Sequence, residues 1–293
     1  MIGKSGKAMQ ILNGKELSLK LEEGIKQRMN DIQAKQGRIP SLVVVLVGDN
    51  PASVAYVNNK VKSCARVGFI SNLIHKDETC TQDELLGIIH TLNHDQSVDG
   101  ILVQLPLPAH LDPKPIIEAI DPSKDVDGLH SSNVVRLYQN DPLFIPCTAK
   151  GIMTLLSAYQ IDLSGKHVVV IGRSPLVGRP VAQLCLNANA TVSICHSKTL
   201  DISQFTKQAD VIIVAIGKPK YLNASHLSKQ SVIIDVGISR VDGKYNGDVD
   251  FESVKDKVSA ITPVPGGIGP MTIVSLLENT MIAYDKHMEK NHG

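Results

Sequence analysis

The chain is predicted to be a two-domain α/β protein built on mostly parallel sheets, and three observations predict it. Apolar runs rich in β-branched residues alternate with helical patterns, first at SLVVVLV from Ser41 and again at HVVVI from His167. Pro146-Cys147-Thr148 breaks the alternation near the middle of a chain of 293 residues, which is long enough for two domains. Residues 167–186, HVVVIGRSPLVGRPVAQLCL, read as buried strand, glycine turn and helix, the order in which α/β proteins hold a dinucleotide pyrophosphate.

Composition bounds the class. The chain is 43% apolar and 20% charged, with 30 basic against 29 acidic residues, so nothing calls for nucleic acid or an anionic membrane. No apolar run is long enough to span a bilayer, and MIGKSGKAMQ lacks the apolar centre of a signal peptide. The five cysteines are scattered, without C-x-x-C spacing, which predicts a reduced, cytoplasmic protein without structural zinc.

In order, residues 1–8 read as a loose extension. Leu17, Leu21, Ile25, Met29 and Ile32 form one stripe of a helix over residues 12–36, ended by Gly37 and Pro40. The strand Ser41–Val47 is broken by Gly48-Asp49-Asn50-Pro51, and a helix follows over residues 52–67. Residues 69–75 read as a strand, and residues 81–93 as a helix with Thr81 and Glu84 as a capping box. A third strand, residues 100–104, is cut by Pro106 and Pro108; a short helix over 113–120 and a turn-rich stretch, 121–128, follow. Thr148 is expected to cap a helix over 149–159. After the glycine turn come strands at 191–195, 211–216 and 231–236, the last two followed by Gly217 and Gly237 at the carboxyl edge. Residues 241–244 read as a tight turn, and residues 262–270 as too stiff and glycine-rich for any regular element. A final helix spans 271–288, with Val274, Leu277, Met281 and Tyr284 on one stripe. Its stripe is too long for water and the second sheet is complete before Pro263, so it is expected to return to the first domain. The expected domains are 1–147 plus the returning helix 271–293, and 148–270, joined near Pro146 and near Pro265.

The turn carries Gly172 and, six residues on, Gly178; Ser174 stands where the dinucleotide fingerprint has its second glycine. On the motif alone an ordinary strand–turn–helix corner fits as well. The next strand ends in His196-Ser197-Lys198, where NAD enzymes carry an acid for the ribose 2′-hydroxyl. No acid stands there. Arg173 with His196, Ser197 and Lys198 suits a 2′-phosphate, which favours NADP, although each taken singly also fits a solvated loop.

In the first half Tyr56 and Lys60 sit one turn apart on a helix face. Gln104 closes a strand and Asp127 lies in a loop beyond the next helix, and the carboxyl ends of parallel strands gather at one edge. A desolvated lysine beside a tyrosine trades protons near neutral pH; a surface lysine with its stem over a core tyrosine fits the same spacing. The Y-x-x-x-K of short-chain dehydrogenases lies downstream of the glycine turn, so that reading fails on order.

These strings together resemble the bifunctional methylenetetrahydrofolate dehydrogenase/cyclohydrolases, from about Leu12 to Met288. The matching runs are YVNNK from Tyr56, DGILVQLPLP from Asp99, KDVDG from Lys124, PCTAKG from Pro146, GRSPLVGRP from Gly172, CHSKT from Cys195 and PVPGGIGPMT from Pro263. The resemblance implies an N-terminal catalytic domain and a C-terminal Rossmann-type NADP-binding domain. It implies oxidation of 5,10-methylenetetrahydrofolate with NADP, then hydrolysis of the methenyl compound to 10-formyltetrahydrofolate, in a homodimer without a metal. By position, Lys60 is the base and proton shuttle, Gln104 tunes it, Tyr56 stacks on the folate and Asp127 binds the pterin edge, with Asp125 the lesser candidate. Gly172, Arg173, Ser174, Ser197 and the backbone of Ile238 hold NADP, and Pro270 and Thr272 line the substrate site. The alternatives are a monofunctional dehydrogenase and a non-catalytic NADP sensor; Lys60, Gln104 and Asp127 together speak against both.

Overall fold

The computed structural model describes residues 9–228, 230–241 and 243–292, so the expected extension, residues 1–8, lies outside the described residues. The chain divides into two compact units. One holds Leu19–Cys147 and Ile273–Gly293, the other Met1–Ser18 and Thr148–Thr272, so the chain passes between them after residues 18, 147 and 272.

In the first of these units Ser41–Val47 is the middle strand, parallel to Ile70–Lys76 on one side and to Gly100–Val103 on the other. All seven of its residues are buried, as a strand covered on both faces requires. Val43, Val45, Leu85, Ile89 and Ile101 share one core cluster on it. The helix Pro51–Val67 leaves the middle strand through Asn50, whose side chain accepts from the amides of Ala52 and Ser53, and ends at Gly68 in a left-handed cap. The helix Gln82–His94 starts on the expected capping box, with Thr81 and Glu84 satisfying each other's backbone amides. A further helix, Ser131–Tyr138, carries no signal strong enough to have been read in advance.

The last helix, Ile268–His292, joins this unit from Ile273 onward, as its apolar stripe requires. The buried Asn279 amide donates to the carbonyls of Val126 and Ile145 at 2.9 and 3.0 Å. Arg28 pairs with Asp285 at 2.5 Å, and the His287 ring meets Asp99 at 3.0 Å.

The other unit holds a six-stranded, all-parallel sheet in the spatial order Gln10–Ile11, Val258–Ile261, Ser231–Asp235, Val211–Val214, His167–Ile171, Thr191–Cys195. Val168, Val169 and Val170 are fully buried, each contributing about 1.5–3 kcal/mol of apolar transfer. From His167–Ile171 the chain goes first to one side, to Thr191–Cys195, then to the other, to Val211–Val214. The carboxyl end of His167–Ile171 is therefore the switch point at which such sheets bind ligands.

Four expectations are corrected. Residues 10–12 do not belong with the first domain: Gln10 and Ile11 pair with Ala260 and Ile261 as an edge strand of the six-stranded sheet, through backbone bonds that need no side-chain pattern. The early part of the helix Gly14–Ala34 goes with them, which makes three chain connections where two were expected. Thr148 is not a cap, because the helix Cys147–Ala158 has already begun when it is reached. Residues 268–270 are helical rather than irregular, since a proline in the first turn removes an amide that has no helical partner anyway. In the expected turn at 241–244 Asp242 lies outside the described residues; the flanking Ser239–Val241 and Lys244–Asn246 pair antiparallel.

Candidate active site

The helix Pro51–Val67 follows the middle strand and Gln104 follows its neighbour Gly100–Val103, so both point to the edge where the strand order reverses. The Gln104 amide N–H is held by the Val45 carbonyl at 2.8 Å. Lys60 Nζ donates to Gln104 Oε1 at 3.0 Å, and Gln104 Nε2 donates to the Leu105 carbonyl at 2.6 Å. Lys60 is only 8% exposed, which removes the surface-lysine reading. Burial pushes its pKa down, and the Asp127 carboxylate opposes that push. In its neutral form such an amine, donating to one carbonyl, keeps a free lone pair, which is what a base needs. Tyr56 is half-buried, one turn back on the same helix.

The three charges of KDVDG separate by task. Lys124 is buried, and its amine donates to the carbonyls of Leu92 and Asp95 at 2.9 and 2.7 Å, closing the end of the helix Gln82–His94. Asp125 is buried, and its Oδ2 accepts from the His130 amide and the Asn133 side chain, both at 2.8 Å, anchoring the helix Ser131–Tyr138. Burial raises its carboxyl to about 6. Asp127 is half-buried and close enough to act on Lys60.

The second constellation lies at the switch point of the six-stranded sheet. Gly172 sits at φ +126°, and a Cβ there would overlap the Ala215 carbonyl oxygen; one on Gly178 would overlap the Gly172 carbonyl. The turn is thus closed by backbone packed on backbone. Ser174 does what a glycine cannot: its Oγ accepts from the amides of Val177 and Gly178 at 3.2 and 3.4 Å at the start of the helix Gly178–Asn187. An oxygen that accepts from amides still has its own hydrogen to give an anion. Ile171 and Cys195 are register partners, so Arg173 and Ser197 leave adjacent strands, both exposed. The His196 amide donates to Thr199 Oγ1 at 2.9 Å and the Lys198 amide to His196 Nδ1 at 3.1 Å, which fixes the turn bearing Ser197. This set of guanidinium, hydroxyls and helix N-terminus fits a phosphorylated dinucleotide. Ile238 is exposed just beyond Ser231–Asp235.

Pro270 and Thr272 lie in the opening turns of the last helix, within the dinucleotide unit; the Thr272 hydroxyl is 3.2 Å from both the Ile268 carbonyl and the Thr148 hydroxyl. Two buried acids of this unit, Asp235 and Asp248, escaped the sequence reading. The signal available for Asp235 was an acid at a strand end, which is too common to single out.

Known proteins share the two domains and the fold. Residues 12–127 match the family described as tetrahydrofolate dehydrogenase/cyclohydrolase, catalytic domain, and residues 146–288 its NAD(P)-binding domain. The chain is 52% identical over 272 residues to the bifunctional protein FolD of Streptococcus uberis, covering 92% of this chain and 96% of that one. It is similar to the crystal structure of the bifunctional FolD enzyme of Campylobacter jejuni, with TM-score 0.92, 52% identity and 95% and 100% of the two chains covered. The Trypanosoma brucei dehydrogenase-cyclohydrolase, solved with NADP and an inhibitor, gives TM-score 0.91 at 32% identity, covering 95% and 98%. With two matched domains, a buried lysine at one strand edge and a dinucleotide turn at the other, the chain belongs to the tetrahydrofolate dehydrogenase/cyclohydrolase family.

Proposed function

We propose that a single folate site built on Lys60 serves both reactions of this family. The chain is an NADP-dependent methylenetetrahydrofolate dehydrogenase and a methenyltetrahydrofolate cyclohydrolase. The observation that carries the single-site reading is the buried Lys60 amine, held by Gln104 and acted on by Asp127.

NADP, when bound, supplies the acceptor for the hydride that leaves the methylene carbon. Arg173 and Ser197 would take its 2′-phosphate, Gly172, Ser174 and the helix N-terminus would take its pyrophosphate, and the Ile238 backbone would help to hold it. Tyr56 stacks on the folate, Asp127 accepts from the amino-substituted pterin edge, and Pro270 and Thr272 line the substrate. In the hydrolysis Lys60 takes a proton from the water that adds to the methenyl carbon. It returns that proton to the ring nitrogen as the C–N bond opens, while the hydroxyl proton of the adduct passes to solvent as the formyl C=O forms. That released proton carries off the charge of the cation, and the lysine ends in the state in which it began. Gln104 holds the amine in line through both transfers. A folate cation of this kind is electrophilic enough to need only a base and an oriented water.

The setting we propose is a cytoplasmic homodimer; the five cysteines are all free and buried, which fits a reducing compartment. No described helix is long and apolar enough to cross a membrane. Absorbance of enzyme with methylenetetrahydrofolate and either cofactor tests the function. Reduced NADP and a methenyl band that then decays are expected. A methenyl band that persists would leave a monofunctional dehydrogenase.

A further inference from the structure

Asp235 and Asp248 take no part in the reactions as described, yet both are buried at the carboxyl edge of the dinucleotide sheet. Asp248 Oδ2 accepts from the amides of Ile216 and Gly217 at 2.7 and 3.0 Å. Behind it, Asp235 Oδ1 accepts from the Asp248 amide at 2.8 Å and Oδ2 from the Val249 amide at 3.0 Å. Asp248 Oδ1 has no hydrogen-bond partner among the described residues. Burial raises both carboxyls, Asp235 to about 7. An acid kept in so unfavourable a place calls for a reason beyond packing.

Its contacts supply one. Ile216 and Gly217 follow the strand Val211–Val214 directly after Ala215, whose carbonyl is packed on Gly172 of the dinucleotide turn. Gly237 lies over the Asp248 carboxylate so closely that a Cβ would overlap it, and the next residue is Ile238. Gly247 is cleared in the same way for Asp235. One side chain thus holds one strand-end turn by two hydrogen bonds and packs closely against a second, both at the edge where NADP is assigned.

We propose that Asp248 is a positioning residue for NADP, holding the turns at 216–217 and 237–238 against the Gly172 turn, with Asp235 fixing Asp248 from behind. The proposal rests on the assignment of NADP to this edge. A carboxylate suits the task because one oxygen receives two converging amides, which no apolar side chain of that size can do. Asparagine keeps an oxygen for the two amides; alanine keeps nothing.

The test uses the full chain and four readings: the NADP dissociation constant by calorimetry without folate, hydrogen exchange at the Ile216 and Gly217 amides, hydrolysis of the methenyl compound, and the same set for R173A. For D248A, NADP binding about tenfold weaker or more is expected, as the loss of charge-assisted bonds implies. Faster exchange at both amides and hydrolysis within about twofold of native should accompany it, because hydrolysis consumes no NADP. D248N should stay within about threefold of native in binding. R173A should weaken NADP without speeding exchange at those amides. Native NADP affinity in D248A overturns the proposal, as does a loss of hydrolysis equal to the loss of binding. If D248A does not fold, G237A takes its place: its methyl displaces the carboxylate, and native NADP affinity in it overturns the proposal equally. A native chain that binds no NADP overturns the cofactor assignment instead, which separates the two failures.

Discussion

Lys60 Nζ donates to Gln104 Oε1 at 3.0 Å, and the same Gln104 amide donates through Nε2 to the Leu105 carbonyl at 2.6 Å. The second bond fixes which end of the amide faces the lysine. The lysine therefore meets an uncharged acceptor, and burial alone sets the direction in which its pKa moves.

Replacing that acceptor with a charged one should reverse part of the effect. In Gln104→Glu a carboxylate beside Lys60 stabilises the ammonium, so the neutral amine forms only at higher pH. The acid limb of the kcat/KM profile for methenyl hydrolysis is expected to move up. An unmoved limb would mean that Lys60 does not govern it.

Asp127→Asn should act in the opposite direction. The Asp127 carboxylate raises the Lys60 pKa, so its removal leaves burial less opposed and the acid limb moves down. Because Asp127 is also assigned to the pterin edge, KM for folate should rise about tenfold or more. The position of the limb and the size of KM are independent readings, and a limb that moves up contradicts the electrostatic account.

The parts of the fold that were legible beforehand are those with a local cause. The Thr81–Glu84 box, the buried run Val168–Ile171 and the return of the last helix each follow from spacing and apolar area. Gln10–Ile11 was not legible, because two residues held by backbone bonds to a strand about 250 positions later leave no pattern in the sequence. Ile268–Pro270 misled because glycine and proline are breakers in a helix interior but are tolerated in its first turn. At the site, spacing put Tyr56 and Lys60 on one helix face and the order of strands put Gln104 at the same edge. It could not reveal that Lys124 and Asp125 are used up in holding helix ends, since that depends on burial.

Asp125→Asn tests that structural assignment through stability. Burial raises the Asp125 carboxyl from 3.8 to about 6, so the native state binds its proton more tightly than the unfolded chain. This penalty is absent below the unfolded value and grows as pH rises from about 4 to about 6, reaching about 3 kcal/mol. Native stability relative to the variant should therefore fall over that window and level off above it. Urea unfolding of both proteins at several pH values measures this; a difference that does not change with pH would remove Asp125 from the ledger.

Arg173→Ala addresses cofactor choice. Arg173 and Ser197 emerge from adjacent strands, and only NADP brings a 2′-phosphate to them. Binding of NADP should weaken about tenfold or more while NAD changes little, as read by calorimetry with each. Equal losses would assign Arg173 to the pyrophosphate or to the fold.

The most direct measurement concerns Lys60 itself. Lys60→Met keeps the apolar stem and removes the amine, so folate should still bind while hydrolysis of added methenyltetrahydrofolate, followed by its absorbance, falls about 10²–10⁴-fold. A Lys60→Met enzyme that opens methenyltetrahydrofolate at the native rate would contradict the account at its centre.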